Sequence, residues 1–266
     1  MVRPNLRGPL ALRHAIVRPP GPTFAQGITS AGLGAPDVAT ALEQHAAYCG
    51  ALERCGLTVM RLAADDRYPD ATFIEDTAVL SEGLTVLTRP GAPSRQGEVQ
   101  GVMEAFAAFS RNPMTINAPG TLDGGDVCQE GQHFFIGLSH RTNEAGAAQL
   151  GEILDAAGFT SENVDIRTSR RLLHLKSGIS PLGRGRMLLV EELAGETAFR
   201  HYESVIVDSA EEYGANCVDV NGRVLLAGGH PLLEESLRNL GYDTIPLDVS
   251  EYRKMDGGLS CLSLRF

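Results

Sequence analysis

At 266 residues, with 43% hydrophobic and 21% charged residues, the chain can bury a substantial core as one large domain or two small ones, and is too apolar for disorder. Its net charge of -10 argues against nucleic acid as a partner and mildly favours cationic ligands. No run approaches the roughly 18 apolar residues of a membrane span and no signal-type apolar segment opens the chain, so a cytoplasmic protein without membrane contact is expected.

Residues up to about Leu10 read as a loose tail, and Ala15-Ile16-Val17 as a short strand stopped by Pro19 and Pro20. The Gly/Pro/Thr-rich stretch from Gly21 to Pro36 has no periodicity and reads as a flap-like loop. Pro36-Asp37 starts a helix with Val38, Leu42, Cys49 and Leu52 on one stripe, closed by Gly56. His45 shares that stripe and is expected as a packed histidine. A parallel-type strand follows at Leu57–Leu62.

From there one pattern recurs. The first hairpin is predicted over Phe73–Leu80 and Leu84–Leu87, then a helix with Val99, Met103 and Phe106 on one face, then a strand at Met114–Ile116. The second runs through Gly125–Cys128 and His133–Ile136, a helix capped by Asn143, and a strand at Val164–Ile166. The third is Leu172–Lys176 and Met187–Val190, a short helix near Glu196–Tyr202, and Val205–Val207. The fourth is Asn216–Val220, an Asn221-Gly222 turn, Val224–Leu226, a helix from Pro231 to Gly241, and Thr244-Ile245. A C-terminal strand follows the Gly257-Gly258 pair, which reads as a tight turn. If that strand pairs with Ala15–Val17, the two ends complete a fifth unit.

The chain therefore reads as a single α/β domain over 1–266, built of five strand-strand-helix-strand units at a spacing of roughly 40 to 50 residues and closed by its N- and C-terminal strands. A Rossmann-like sheet is the alternative, weakened by the lack of a GxGxxG after a strand. In a closed ring the first strand of each unit lies near the axis. That arrangement gathers Asp70, Glu75, Asp76, Asp123, Asp126, His174, Asn216 and Cys261.

A cysteine, a histidine and two acid clusters are the parts needed for covalent catalysis on a cation: a thiolate nucleophile, a proton carrier, and carboxylates that need positive charge nearby. A guanidinium, planar and permanently charged, fits such carboxylates. The other cysteines, Cys49, Cys55, Cys128 and Cys217, read as buried hydrophobes. The odd count of five without CxxC spacing argues against disulfides and structural zinc, and no metal is expected. Asp126, beside Gly124-Gly125, reads as a turn device.

The segments Phe73-Ile-Glu-Asp76, Thr88–Arg95, Leu122–Val127, Gly137–Asn143, His174-Leu-Lys-Ser177 and Leu259–Ser263 closely resemble, in order, the dimethylarginine dimethylaminohydrolase (dimethylargininase) family of the guanidino-group modifying enzyme superfamily. The resemblance implies the pentein fold, a five-bladed α/β propeller of pseudo-fivefold ββαβ units, and no cofactor. It implies hydrolysis of Nω-methylated arginines to citrulline and methylamines, with Cys261 as nucleophile and His174 as general acid and base. It further implies Asp70, Glu75, Asp76 and Asp123 around the guanidino end, Arg95 and Arg141 on the substrate carboxylate, Met255 in the substrate-binding set, and Phe24 in the flap covering the site. The partner expected is a small cationic guanidino amino acid, and a homodimer is left open.

Two rivals stand beside this reading. Arginine deiminases share the chemistry, but that family carries Arg-Asp where this chain has Glu75-Asp76. Catalytically silent propellers of the same fold lack the Cys/His pair that Cys261 and His174 supply.

Overall fold

The computed structural model describes residues 11–109 and 112–266; the tail expected up to Leu10 lies outside the described residues. Strand β1 (His14–Val17) leads through an irregular segment with one 3-10 turn at Phe24–Gln26 into helix α1 (Val38–Arg54), and β2 (Thr58–Arg61) returns parallel to β1. Asp37 fixes the start of α1, because its carboxylate accepts the Thr40 N–H at 2.7 Å.

A single motif then repeats. Strands β3 (Ala78–Ser81) and β4 (Leu84–Leu87) form a hairpin, α2 (Glu98–Ala107) crosses over, and β5 (Met114–Thr115) lies parallel to β4. Strands β6 (Val127–Glu130) and β7 (His133–Leu138), helix α3 (Glu144–Ala156) and β8 (Thr160–Asp165) follow the same plan, with the Asn143 side chain capping α3. In the next unit, β9 (Ile179–Gly183), β10 (Arg186–Val190) and β11 (Glu203–Val207), only a 3-10 turn at Thr197–Phe199 stands where the sequence predicts a helix. Strands β12 (Val218–Val220) and β13 (Arg223–Ala227), helix α4 (Pro231–Asn239) and β14 (Asp243–Leu247) make the fourth unit. A short helix α5 (Ser250–Arg253), unforeseen in the sequence, and β15 (Leu264–Arg265) follow. Strand β15 pairs antiparallel with β1, setting Ala15 against Arg265 and Ile16 against Leu264. The result is five three-stranded sheets, each an antiparallel pair plus one parallel strand, the expected five-unit α/β propeller.

The main departure from the sequence reading lies just before the first strand of each unit. Phe73–Leu80 is not one strand: Ile74–Thr77 is a 3-10 turn, and β3 begins after it. Gly124–Asp126, Leu175–Ser177, Ser209–Ala215 and Ser260–Leu262 are 3-10 segments in the same position of the other four units. Apolar residues such as Phe73, Ile74 and Leu175 mimic strand periodicity, but tertiary hydrogen bonds decide the local backbone. The third unit misleads further, because its first strand is Ile179–Gly183 rather than Leu172–Lys176. That strand contains Pro181, which is tolerated because β9 is an edge of its sheet.

Two helix faces are also rotated from expectation. Leu42 is exposed while Ala41, Gln44 and His45 face inward, because α1 docks on α5 through polar contacts: Gln44 donates to the Ser250 hydroxyl, and the Tyr252 hydroxyl donates to the Ala41 carbonyl at 2.9 Å. In α2 the buried stripe runs through Val102 and Phe106, and Met103 is exposed.

Ile16 and Leu264, from opposite ends of the chain, pack with Ile74, Leu87, Val102 and Phe106 of the first unit in one buried cluster. Ile16→Ala should therefore lower stability by about 2–5 kcal/mol, measured by urea unfolding. Deleting 264–266 should go further and abolish the cooperative transition, since β1 loses its antiparallel partner.

Candidate active site

The five 3-10 segments meet at the axis and are joined in a circle by side-chain hydrogen bonds. Asp76 Oδ1 accepts the Gly125 N–H at 2.9 Å, linking the first segment to the second. Asp126 Oδ1 accepts the Leu175 N–H at 2.9 Å, linking the second to the third. Asn216 Nδ2 donates to the Lys176 carbonyl at 2.9 Å, and its Oδ1 accepts the Ser260 N–H at 2.9 Å, linking the third to the fourth and the fourth to the fifth. The Ser260 hydroxyl closes the circle by donating to Glu75 Oε2 at 2.7 Å. His174 and Cys261 both project from this circle.

Gly257 and Gly258 are required for close approach, rather than for a left-handed turn, since neither has positive φ. A Cβ at Gly258 would lie 2.5 Å from Asn216 Oδ1, and one at Gly257 would lie 2.1 Å from the Phe73 ring. The sequence correctly marks the pair as special but not the reason.

Two cavities meet at His174 and Cys261. The larger, of about 340 Å³, reaches from Glu75, Lys176 and Asn216 out to Tyr213 and Arg253. The smaller, of about 30 Å³, is bounded by Asp70, Asp76, Arg95, Arg141, Met255 and Ile28. Most of the residues picked from the sequence therefore converge. Asp123 stands behind His174, fully buried.

Phe24 does not. It is buried in the core, its ring 5.5 Å from that of Tyr252 and 6.0 Å from that of Phe73, and lines neither cavity. Packing its large apolar side chain inside the fold outweighs a covering role, and Ile28 is the flap residue over the small cavity. The two arginines also differ. Arg95 is buried, with Nη1 donating to Asp76 at 2.6 Å, Nε to Glu98 at 3.0 Å, and Nη2 to Glu98 and the Phe73 carbonyl. For the Arg141 guanidinium, which lines the same cavity, the described residues supply no hydrogen-bond acceptor.

The electrostatics follow from this wiring. His174 Nε2 lies 3.0 Å from Asp123 Oδ2. Burial alone would lower the imidazole pKa, but Asp76, Asp126 and Asp123 outweigh it and raise it to about 9. Burial works against the Asp123 carboxylate too, yet His174 holds its pKa below the usual value. Asp126, fully enclosed, is pushed up to about 6 by burial; it accepts from Ser139, Thr142 and the Leu175 N–H. Burial also raises Asp70, against the pull of Arg95 and the Ile28 N–H. Glu75 is compensated by Lys176 at 2.8 Å and Arg265 at 3.3 Å. Cys261, between these acids, is pushed up to about 12 by burial and by Glu75 and Asp76.

Asp76, Asp123 and His174 offer three ligand atoms within 4.8 Å of one another. The oxygens that face His174 are already paired within the protein, however: Asp76 Oδ1 accepts the Gly125 N–H at 2.9 Å, and Asp123 Oδ2 is held by the protonated His174 imidazole itself. Of the residues that build the site, Arg265 escapes sequence reading. Its only mark is a charge inside the apolar terminal run Leu264-Arg-Phe266.

Five ββαβ units around a cysteine, a histidine and a ring of carboxylates define an α/β propeller of the guanidino-group modifying class. No protein-family model matches the chain. It is 41% identical over 255 residues to an N(G),N(G)-dimethylarginine dimethylaminohydrolase from Pseudomonas aeruginosa, covering 96% of this chain and 99% of that protein. It is 34% identical over 258 residues to a protein of the same name from Streptomyces coelicolor, covering 95% and 96%. A solved structure of DDAH from Pseudomonas aeruginosa, a mutant complexed with citrulline, superposes with a TM-score of 0.93 at 40% identity over 97% of this chain and 100% of that one. The chain belongs to the dimethylarginine dimethylaminohydrolase family. The N-terminal domain of the arginine dihydrolase ArgZ, at 19% identity and a TM-score of 0.86 over 96% of this chain, shares the fold.

The imidazolium predicts a pH signature in stability. The folded-state pKa lies above the ordinary 6.5, so the contribution is full below about pH 6.5 and is lost as pH rises toward about 9. Urea unfolding should show a decline on the order of 3 kcal/mol across that window, flattened in Asp123→Asn. A pH-independent stability between those limits would contradict the assignment.

Proposed function

We propose that the protein hydrolyses Nω-methylated arginines, asymmetric dimethylarginine and monomethylarginine, to citrulline and the methylamine, as a cytoplasmic enzyme working as one domain over 1–266. The observation that carries this reading is the junction of the two cavities. There a thiol and an imidazolium meet buried carboxylates and Arg141, for whose guanidinium the described residues supply no acceptor.

Asp70 and Asp76, with Glu75 and Asp123 behind, receive the cationic end of the substrate, with the guanidinium carbon beside Cys261. Arg141 takes the α-carboxylate, with Arg95 at the wall of the same cavity. Met255 and Ile28 enclose the aliphatic stem.

At rest Cys261 is a thiol, because burial disfavours the thiolate and Glu75 and Asp76 oppose a further negative charge. A guanidinium at about 4 Å, in an effective dielectric near 20, contributes about 4 kcal/mol, or roughly three pKa units. That brings the thiol from about 12 toward about 9 and makes the substrate part of its own activation.

The thiol proton leaves to solvent, and the thiolate attacks the guanidinium carbon to give a tetrahedral adduct. The His174 imidazolium, held by Asp123, passes a proton to the substituted nitrogen, and the C–N bond breaks to release methylamine or dimethylamine. A Cys261 thiouronium remains. Neutral His174 then takes a proton from water, the hydroxide adds to the thiouronium carbon, and collapse breaks the C–S bond. As the added hydroxyl becomes the carbonyl of citrulline, its proton passes to the departing sulfur and restores the Cys261 thiol, while the released amine takes up the proton first lost to solvent, so that one water is consumed and one ammonium product leaves.

Citrulline release from asymmetric dimethylarginine should exceed that from arginine, and Cys261→Ser should lower kcat by at least about 10³-fold with the fold intact. Faster turnover of arginine would overturn the substrate reading in favour of a deiminase. Undiminished activity in Cys261→Ser would overturn the mechanism.

A further inference from the structure

The smaller cavity poses a problem of access. Its 30 Å³ has room for only a few waters, too little for the amino-acid end of an arginine derivative, and Ile28 bounds it. Widening this cavity for the amino-acid end requires one of its walls to shift, and the segment carrying Ile28 is a wall made of irregular loop.

Two carboxylates and the Lys254 carbonyl hold that segment down. Both oxygens of Asp70 accept the Ile28 N–H, at 3.1 and 3.2 Å. Asp256 Oδ2 accepts from the Ser30 N–H at 2.5 Å and the Ser30 hydroxyl at 3.0 Å, and lies 3.3 Å from the Thr29 hydroxyl, which donates at 2.8 Å to the Lys254 carbonyl two residues before Asp256. Past Ser30, Gly32 and Gly34 adopt positive φ with open space around them, and Pro36 precedes the Asp37 N–H that donates to Glu251 at 2.6 Å. Among the described residues, no hydrogen bond ties 31–36 to the rest of the fold.

Asp256 occupies an unusual place for this task. It follows α5 with φ of 57°, the left-handed position where helices favour glycine or asparagine, and Gly257 comes next. An aspartate at this position is explained by what its side chain reaches. It also lines both cavities, five residues ahead of Cys261 in the chain.

We propose that Asp256 is a latch, a positioning residue whose carboxylate holds the 28–30 segment closed over the amino-acid end of the substrate and ties that closure to the turn bearing Cys261. The latch rests on the reading of this cavity as the substrate site. It sets substrate affinity through the closed population of the segment and touches none of the reacting atoms.

The test uses Asp256→Gly, which removes the carboxylate while suiting the backbone, with Asp256→Asn as the conservative variant. Because the chain contains no tryptophan, Leu33→Trp, at an exposed position of the segment, supplies a reporter independent of activity. Acrylamide quenching of the introduced indole should rise about twofold or more with Asp256→Gly. KM for dimethylarginine should rise about tenfold or more, with kcat changed far less and the unfolding midpoint maintained. Asp256→Asn, which keeps one acceptor oxygen, should fall between the two. Unchanged quenching in Asp256→Gly, or a loss confined to kcat, overturns the latch. If the parent protein does not turn over dimethylarginine, the functional reading fails instead, and quenching alone still decides the latch.

Discussion

The circle of hydrogen bonds at the axis is the constraint on which the rest depends. The second, third and fifth 3-10 segments offer backbone donors or acceptors that a side chain from a neighbouring segment takes, and the bond from the Ser260 hydroxyl to Glu75 closes the circle. Asp76, Asp126, Asn216 and Ser260 are therefore structural in the strict sense that they hold five turns at fixed separation. Buried networks of this kind are rigid when fully satisfied. That rigidity places Cys261 and His174, 87 residues apart in the chain, at one point.

The same circle creates the electrostatic problem that the chemistry exploits. Asp70, Glu75, Asp76, Glu98, Asp123 and Asp126 are all buried at or beside the axis, and only some of that charge is balanced internally, by Arg95, Lys176, Arg265 and the imidazolium of His174. The histidine stays protonated because it is one of the balancing cations. The cysteine stays a thiol because burial disfavours its thiolate, which would also add to the negative charge of Glu75 and Asp76. A guanidinium entering the cavity repairs the imbalance and changes the preferred state of the sulfur in the same event. The site is thus poised by burial rather than by a standing thiolate–imidazolium pair.

Much of this architecture is legible in the chain. The hairpin turns, such as Asn221-Gly222, and the recurring helix signals mark the units. The Gly-Gly-Leu-Ser-Cys261 run and His174 carry the chemistry. What is not legible depends on contacts between distant segments. The 3-10 turns before each first strand are set by bonds from other units, so Phe73-Ile74 and Leu172–Lys176 masquerade as strands. Phe24 is aromatic, lies in the flap, and still packs inward, because only the folded chain shows that Phe73 and Tyr252 await it. Arg95 and Arg141 look equivalent in sequence, yet Glu98, three residues after Arg95, claims one of them. Asp256 gives no signal beyond an acid before glycine, since its partners Thr29 and Ser30 lie more than two hundred residues upstream.

The central claim is that a bound guanidinium, not the protein alone, makes the nucleophile. Thiolate ultraviolet absorbance followed through a pH titration tests it most directly, with Cys261→Ser as the blank for the four other cysteines and a non-hydrolysed guanidinium amino acid as ligand. The account predicts that the apparent pKa of Cys261 starts near about 12 and falls by roughly three units when the ligand binds. An unchanged titration, or a thiolate already present near neutral pH without ligand, would contradict it.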